Sequence, residues 1–174
     1  APLQEGLLLV HNTLVGLNLR DNIALGCAGK VVSGFDIARM MALGADWCNS
    51  ARGFMFALGC IQAQHCHTGH CPTGVTTQDA LRQQALVVPT KTERVYQFHE
   101  NTLKALKELV QAAGLTHPGQ ISASHIVRRT SDHGVKLLAN LLPFVAPGSL
   151  LSGDSQHQVF KVYWPMAQAS SFSV

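Results

Sequence analysis

The first 60 residues alternate between helical and strand-like spacing of apolar side chains. A wide apolar stripe over residues 3–18 predicts a helix. Short segments at Ile23–Cys27 and Asp46–Ser50 predict buried strands, and the stretches 34–44 and 51–60 predict a helix after each strand. Helix and strand therefore alternate, which is typical of βαβ units on a parallel sheet and indicates the α/β class.

The rest of the chain has mainly helical spacing. A long helix is predicted from Thr90 to Ala113, with Thr90 and Glu93 forming a capping box at its start. A second helix is predicted over Asp132–Leu142. From Ala146 onward Pro, Gly, Ser and Gln are frequent, which predicts an extended tail.

These two patterns predict a division of the chain near residue 78. Residues 1–78 would form the α/β part with a cysteine-rich loop, and residues 79–174 a helical C-terminal extension with its tail. Two strands alone do not make a stable sheet covered on both faces, so we expect further strands outside this chain. The absence of an initiator Met before Ala1 likewise predicts a processed chain or a fragment.

Charged residues make up 13% of the 174 residues, against ~25% in an ordinary soluble domain. This low share predicts that part of the surface is covered by other protein, either an N-terminal remainder or a second copy in a homo-oligomer. No apolar run approaches the ~18–20 residues that span a bilayer, and no secretory signal is visible. The sequence therefore predicts a cytoplasmic protein without a membrane span.

The net charge of +3 is spread along the whole chain rather than gathered into a basic stripe. Its longest basic cluster, Arg128-Arg129, is interpreted as a pair at a helix end. No nucleic-acid partner is predicted from this distribution.

Three of the five cysteines lie within twelve residues of one another. The five are Cys27, Cys48, Cys60, Cys66 and Cys71. An odd number of cysteines without a signal peptide argues against a disulfide framework, so the cluster indicates metal binding or catalysis. Cys27 and Cys48 lie on predicted strands and are interpreted as core residues.

The clustered cysteines have the spacing C-x5-C-x4-C, and Pro72 follows the last of them. Thiolates bind soft metals and iron–sulfur clusters, and a proline after the last cysteine also occurs in ferredoxin loops. Three thiolates suit a three-iron cluster in which each iron takes one. Two alternatives remain open: a zinc site completed by His65, His67 or His70, and three ordinary buried cysteines.

Several segments resemble one known family, the FMN-binding synthase domain of glutamate synthase. The resemblance rests on Leu43-Gly-Ala-Asp, Ala57-Leu-Gly-Cys60, Cys66-His67, Cys71-Pro72-Thr-Gly-Val-Thr-Thr-Gln78 and the stretch from Leu86 to Leu103, which is similar to a stand-alone branch of FMN-binding glutamate synthase family proteins. It runs from about Leu3 to Pro165, nearly the whole chain. It implies that Cys60, Cys66 and Cys71 hold a [3Fe–4S] cluster.

The resemblance also implies a fold, namely the C-terminal portion of an FMN-binding (β/α)8 barrel with a helical C-terminal extension. In such barrels the flavin phosphate binds the loops after strands seven and eight. Here those loops contain Gly29 and Lys30, and Ala51 and Arg52. Larger glutamate synthases usually have Asp-Gly-Gly and Gly-Thr at these loops, so Lys30 and Arg52 add positive charge that those proteins lack.

The activity that the resemblance implies is the formation of L-glutamate from 2-oxoglutarate and ammonia by the full-length protein. Electrons would come from a donor protein or an NAD(P)H-oxidising subunit through the cluster to FMN. No residue of this chain is a convincing acid or base, and this portion is not expected to be active alone. The alternative hypothesis is a non-catalytic module of the same origin that binds an iron–sulfur cluster or zinc.

Overall fold

A computed structural model describes residues 2–153 and 156–171 of the chain, as a mixture of helices and short strands of the α/β class. The helices are α1 (Leu3–Gly16), α2 (Gly34–Ala42), α3 (Ala51–Leu58), α4 (Ala80–Gln83), α5 (Val88–Ala112), α6 (Leu138–Leu141) and α7 (Gln158–Tyr163). The strands are β1 (Gly26–Ala28), β2 (Trp47–Asn49), β3 (Val127–Arg129) and β4 (Val135–Leu137). Strands β1 and β2 form one two-stranded sheet, and β3 and β4 form another.

The chain folds into two compact units that interleave along the sequence. The first unit contains Ala1–Cys27, Arg39–Trp47 and Gly119–Val174, and the second contains Ala28–Ala38 and Cys48–Pro118. In the part of the chain that the structure describes, no helix is both long enough and apolar enough to cross a membrane.

The alternation predicted for the first 60 residues is confirmed, with shorter elements. Helices α1, α2 and α3 occupy the predicted stretches, and Gly44 and Gly59 follow α2 and α3 in left-handed conformations (φ 105° and 109°). Strand β1 lies later than predicted, because a turn of 3-10 helix at Arg20–Asn22 and extended residues after it precede the strand.

The predicted start of the long helix was wrong. Helix α5 begins at Val88, two residues before Thr90, and Pro89 lies in its first turn. Proline is favoured there because its fixed φ suits a helix and its missing N–H would lack a partner anyway. Thr90 is therefore inside the helix, and its capping box with Glu93 does not form.

The predicted helix over Asp132–Leu142 was also wrong for most of its length. Strands β3 and β4 pair antiparallel around a turn in which the Thr130 N–H donates to the Gly134 carbonyl at 2.8 Å. Arg128 and Arg129 consequently lie in a strand and not at a helix end. Only residues 138–141 are helical, and this helix ends before Pro143 as predicted.

The tail after Ala146 is not extended throughout. Helix α7 forms over Gln158–Tyr163, and the ring of His157 caps it by accepting the Val159 N–H. Phe160 is buried on this helix. The composition that predicted an extended tail therefore did not indicate this short helix.

Arg20 joins three segments of the first unit. Its Nη2 donates to the Gly44 carbonyl and to Asp46 Oδ2, each at 2.8 Å, and its Nη1 donates to the Ile23 carbonyl at 2.8 Å. Its Nε–H donates to Nδ1 of His11 on α1 at 3.2 Å. One guanidinium thus fixes α1, the approach to β1 and the turn between α2 and β2.

The same contacts set the protonation of His11 and Asp46. Burial lowers the pKa of His11, and the charge of Arg20 lowers it further. Burial opposes ionisation of Asp46, but hydrogen bonds from Arg20 and from the Leu25 N–H outweigh it and lower the pKa of that carboxyl. The favoured forms are therefore neutral His11, which can accept the Arg20 Nε–H, and ionised Asp46, which pairs with the guanidinium.

As the pH falls, His11 becomes protonated at a higher pH in the unfolded chain than in the folded chain, because its pKa is lower in the folded state. Stability should therefore fall as pH drops below 6.5, the ordinary histidine pKa, by at most ~1.4 kcal/mol per pH unit from this residue. Protonation of Asp46 begins to reduce stability only below the ordinary pKa of this carboxyl, 3.8.

We expect a His11→Gln variant to have a flatter curve of unfolding free energy against pH between 6.5 and 5, since glutamine can still accept from Arg20 without titrating. Urea unfolding at a series of pH values measures both curves. His133→Gln, at an exposed position in the β3–β4 turn, serves as the control and should retain the wild-type slope. Parallel curves for wild type and His11→Gln would contradict the expectation.

Candidate functional site

The cysteine-rich loop lies in the second unit between two anchored ends. Gly59 ends α3 in a left-handed conformation, and Asp79 caps α4 by accepting the N–H groups of Leu81 and Arg82. Between these ends the chain has no helix or strand, as the sequence predicted. Phe54 of α3 packs edge-on against Phe98 of α5 at 5.2 Å, which holds α3, where the loop departs, against α5.

The backbone turns sharply in the five residues between Cys60 and Cys66. Gln62 and Gln64 both adopt left-handed conformations, with φ of 58° and 59°. Such conformations are uncommon for residues other than glycine. In the same segment the Gln62 N–H donates to Cys60 Sγ at 3.4 Å.

Hydrogen bonds and a close backbone contact fix the second half of the loop. The Thr77 hydroxyl donates to the Gly69 carbonyl, and the Thr68 hydroxyl donates to the His65 carbonyl at 2.9 Å. Gly74 is left-handed (φ 76°) and lies so close to the Arg82 carbonyl oxygen that a Cβ could not fit.

The side chains of Cys60, Cys66 and Cys71 all line one small cavity. Their exposure differs: Cys71 is buried, Cys60 is half-buried and Cys66 is exposed. The cavity has a volume of about 20 Å³, which is room for a single water. The donor set therefore suits a cluster held by three thiolates, but a cluster would need the exposed part of the loop to widen.

The thiol of Cys71 lies among hydrogen-bond donors. Its pKa is lowered to about 6, first by the Thr73 side chain, whose hydroxyl lies 3.5 Å from Sγ, and next by the Thr76 backbone N–H. Cys71 is consequently mostly thiolate at pH 7, which is the form that binds metals.

Thr76 contributes a further polar group to the cavity. Its hydroxyl is buried and lies near enough to help to lower the pKa of Cys71, yet it forms no hydrogen bond of normal geometry within the described residues. A buried polar atom without a partner is rare, and it commonly marks a place where a water or an ion binds. The position of Thr76 therefore fits a bound group.

A zinc ion would require a different arrangement. With Zn–S bonds of ~2.3 Å, tetrahedral geometry places the sulfurs ~3.8 Å apart. Within residues 2–153 and 156–171, no group of three or more His, Cys, Asp or Glu side chains is arranged to hold one metal ion. Only His65 of the three loop histidines lines the cavity. A three-iron cluster does not require its three ligands to meet at one ion, because each thiolate binds its own iron.

Sequence reasoning did not identify Gln62, Thr73 and Thr76 as part of this site. A usable pattern was present, since Thr73 and Thr76 closely follow the Cys71-Pro72 step. Gln62 contributes its backbone N–H, which every residue except proline has, so its side chain gives no signal of this role. Cys27 and Cys48 do not line the cavity, and Cys27 is buried as predicted.

Of the residues predicted to bind a flavin phosphate, one pair lies on a loop of the second unit, and the other pair lies in a helix and not on the predicted loop. Gly29 and Lys30 follow β1, and Lys30 is left-handed with φ of 55°. Ala51 and Arg52 form the first turn of α3, and all four residues are exposed.

A hydrogen bond joins the segment after β1 to the residue before α3. The Ser50 hydroxyl donates to the Val31 carbonyl at 2.7 Å. Because that hydroxyl is engaged, it does not cap α3, and the first N–H groups of α3 have no side-chain cap. The segment after β1 and the first turn of α3 thus present backbone N–H donors and two cationic side chains. Backbone donors and positive charge are the groups that bind phosphate.

Comparisons with known proteins agree with the cysteine motif. Residues 1–116 match the family model described as a conserved region in glutamate synthase. The glutamate synthase large subunit-like protein YerD of Bacillus subtilis is 38% identical over 141 residues, which cover 81% of this chain and 27% of that protein.

Two longer relatives show the same similarity. Ferredoxin-dependent glutamate synthase 2 of Synechocystis is 33% identical over 131 residues, covering 75% of this chain and 8% of that protein. The NADH glutamate synthase of Saccharomyces cerevisiae is 29% identical over 153 residues, covering 86% of this chain and 7% of that protein. The chain therefore spans about a quarter or less of the length of these relatives.

Two glycines of the cysteine loop allow a matched test of its packing. Gly69 and Gly74 have the same φ of 76°, but the space around Gly69 is open. We expect Gly69→Ala to cost ~1 kcal/mol of unfolding free energy from the left-handed backbone alone. Gly74→Ala should cost roughly 2–4 kcal/mol, because its Cβ also meets the Arg82 carbonyl.

Urea unfolding of both variants measures this difference. Equal losses for the two substitutions would show that the contact between Gly74 and Arg82 is absent in solution.

Proposed function

The chain belongs to the glutamate synthase family, and from that premise we propose that it is part of an oxidoreductase that forms L-glutamate from 2-oxoglutarate and ammonia. The observation that carries this proposal is the placement of three thiols, from a C-x5-C-x4-C loop, around one cavity. The activity belongs to the complete protein, of which this chain would supply the last strands of an FMN-binding (β/α)8 barrel.

Cys60, Cys66 and Cys71 are the residues that would hold a [3Fe–4S] cluster. When bound, such a cluster transfers single electrons between a donor and a flavin. The chain prepares Cys71 for this role, because Thr73 and the Thr76 N–H stabilise its thiolate before any metal arrives.

Hydrogen bonds to the sulfurs also bear on electron transfer. The Gln62 N–H donates to Cys60 and the Thr73 hydroxyl lies within reach of Cys71. Donors of this kind stabilise negative charge on the sulfurs and so favour the reduced form, which raises the reduction potential. Cys66 is exposed, so water would act on its sulfur instead.

Gly29, Lys30, Ala51 and Arg52 would hold the phosphate of FMN. The uncapped N–H groups of α3 can donate to phosphate oxygens, and Lys30 and Arg52 supply charge. These loops would correspond to those after strands seven and eight, where barrels of this kind commonly bind phosphate. We assign no acid or base of the reaction to this chain.

The electron donor would be a protein or an NAD(P)H-oxidising subunit. Relatives named as ferredoxin-dependent, NADH and NADPH enzymes all match this chain, so the shared region does not select the donor. The donor specificity would then reside in other parts of the protein.

We expect serine at Cys60, Cys66 or Cys71 to abolish cluster binding by the complete protein, because a hydroxyl is a poor ligand for iron in such clusters. Iron and acid-labile sulfide analysis after anaerobic purification measures the loss from about three irons per chain. Cys48→Ser is the matched control, since Cys48 lies on β2 and outside the cavity.

Stoichiometric zinc, or no metal after anaerobic reconstitution, would contradict the cluster. Either result would favour the second candidate function, a non-catalytic metal-binding or interaction module derived from the same fold.

The flavin site can be tested separately from the cluster. We expect the double variant Lys30→Gln/Arg52→Gln to weaken FMN binding by roughly tenfold or more, since each charge-assisted hydrogen bond contributes ~1.5–3 kcal/mol. Riboflavin lacks the phosphate, so its affinity should not change. Flavin fluorescence titration of the complete apoprotein measures both. The double variant Arg94→Gln/Lys104→Gln, at two exposed positions of α5, is the charge-matched control.

An equal loss of affinity for FMN and riboflavin would show that the two cations support the fold rather than the phosphate.

A further inference from the structure

The first unit contains a pocket that the proposed activity does not use. It lies beside the N-terminal half of α1 and has a volume of about 270 Å³. Its lining is mainly apolar, with Leu8, Leu142 and Val159 among the walls, and two charged side chains, Glu5 and Arg128, complete it. This size is near the lower end for small-molecule sites.

Buried contacts fix one wall of the pocket. Asn12 is almost fully buried on α1, and its amide nitrogen donates to the carbonyl of Pro143 at 2.8 Å. The amide oxygen of Asn12 accepts the Val145 N–H at 3.4 Å. The segment that carries Leu142 and Pro143 is therefore held against α1.

The opposite wall is fixed by α7. The ring of His157 lines the pocket, caps α7 through the Val159 N–H and packs at 4.7 Å on the buried ring of Phe160. Burial lowers the pKa of His157, so this ring is neutral at pH 7 and adds no charge. Walls that are already ordered lower the entropic cost of binding a small ligand.

The charges at the pocket are not matched by partners. Glu5 and Arg128 form no ion pair or hydrogen bond within the described residues. Arg128 lies directly opposite Lys136 in the β3–β4 register, and directly opposed residues share one face of the sheet. Two like charges placed this way are destabilising, and a bound anion would reduce their repulsion. The neighbouring Arg129, by contrast, pairs with Asp132 at 3.0 Å.

We propose that this pocket binds a free α-amino acid with a large apolar side chain, its carboxylate at Arg128 and its ammonium at Glu5. A simple carboxylate would leave Glu5 unmatched, and a simple amine would leave Arg128 unmatched. The apolar walls exclude the charged side chain of glutamate, so this ligand differs from the product of the proposed reaction.

The test uses the complete protein and L-phenylalanine as the probe, in isothermal titration calorimetry. We expect saturable binding of one L-phenylalanine per chain. 3-Phenylpropanoate and 2-phenylethylamine, which each lack one charged group, should bind at least about tenfold more weakly. L-Glutamate should not compete.

Two arginine variants separate recognition from general charge. Arg128→Gln should weaken L-phenylalanine binding on the order of tenfold, whereas Arg129→Gln, which removes the same charge one residue away, should leave it unchanged. Both side chains are exposed, and thermal unfolding confirms that each variant is folded.

The proposal is overturned by any of three results. These are no saturable binding at ligand concentrations of about 10 mM, equal affinity for L-phenylalanine and either analogue, or equal losses for the two arginine variants. None of these results bears on the cysteine loop, because the pocket and the loop lie in different units.

Discussion

Three thiols spread over twelve residues must reach one cavity, and no regular element can bring them there. A helix would place residues six and five positions apart on different faces, and a strand would separate them along its length. The chain instead uses an irregular loop with fixed ends. Gly59 turns the chain out of α3, Asp79 starts α4, and the packing of Phe54 on Phe98 holds α3 against α5.

Features with strong local causes could be predicted from the sequence. The apolar stripe of α1, the glycine after α2 and the absence of regular structure between Cys60 and Gln78 all depend on nearby residues, and the structure confirms them. The placement of the three cysteines together also followed from their spacing. The family match over residues 1–116 agrees with the motif that first indicated it.

The mispredicted elements depend on contacts that are distant in sequence or on competing local preferences. Residues 132–142 contain helix formers, but β3 pairs with β4 because the turn at Gly134 lets the Thr130 N–H reach its carbonyl. Helix α7 is stable because Phe160 is buried, and no local pattern reveals that burial. Helix α5 begins at Val88 with Pro89 in its first turn, so the capping box that Thr90 and Glu93 suggest in the sequence does not form.

The three cysteines differ in how their negative charge would be stabilised, and this difference follows from burial. Cys71 is buried, so the protein itself must supply donors, and Thr73 and the Thr76 N–H do so. Cys60 is half-buried and accepts the Gln62 N–H. Cys66 is exposed and accepts no hydrogen bond from the described residues, so solvent would stabilise its charge. The loop therefore has a hydrogen-bonded side at Cys71 and a solvated side at Cys66, and widening the cavity on the solvated side would break fewer contacts.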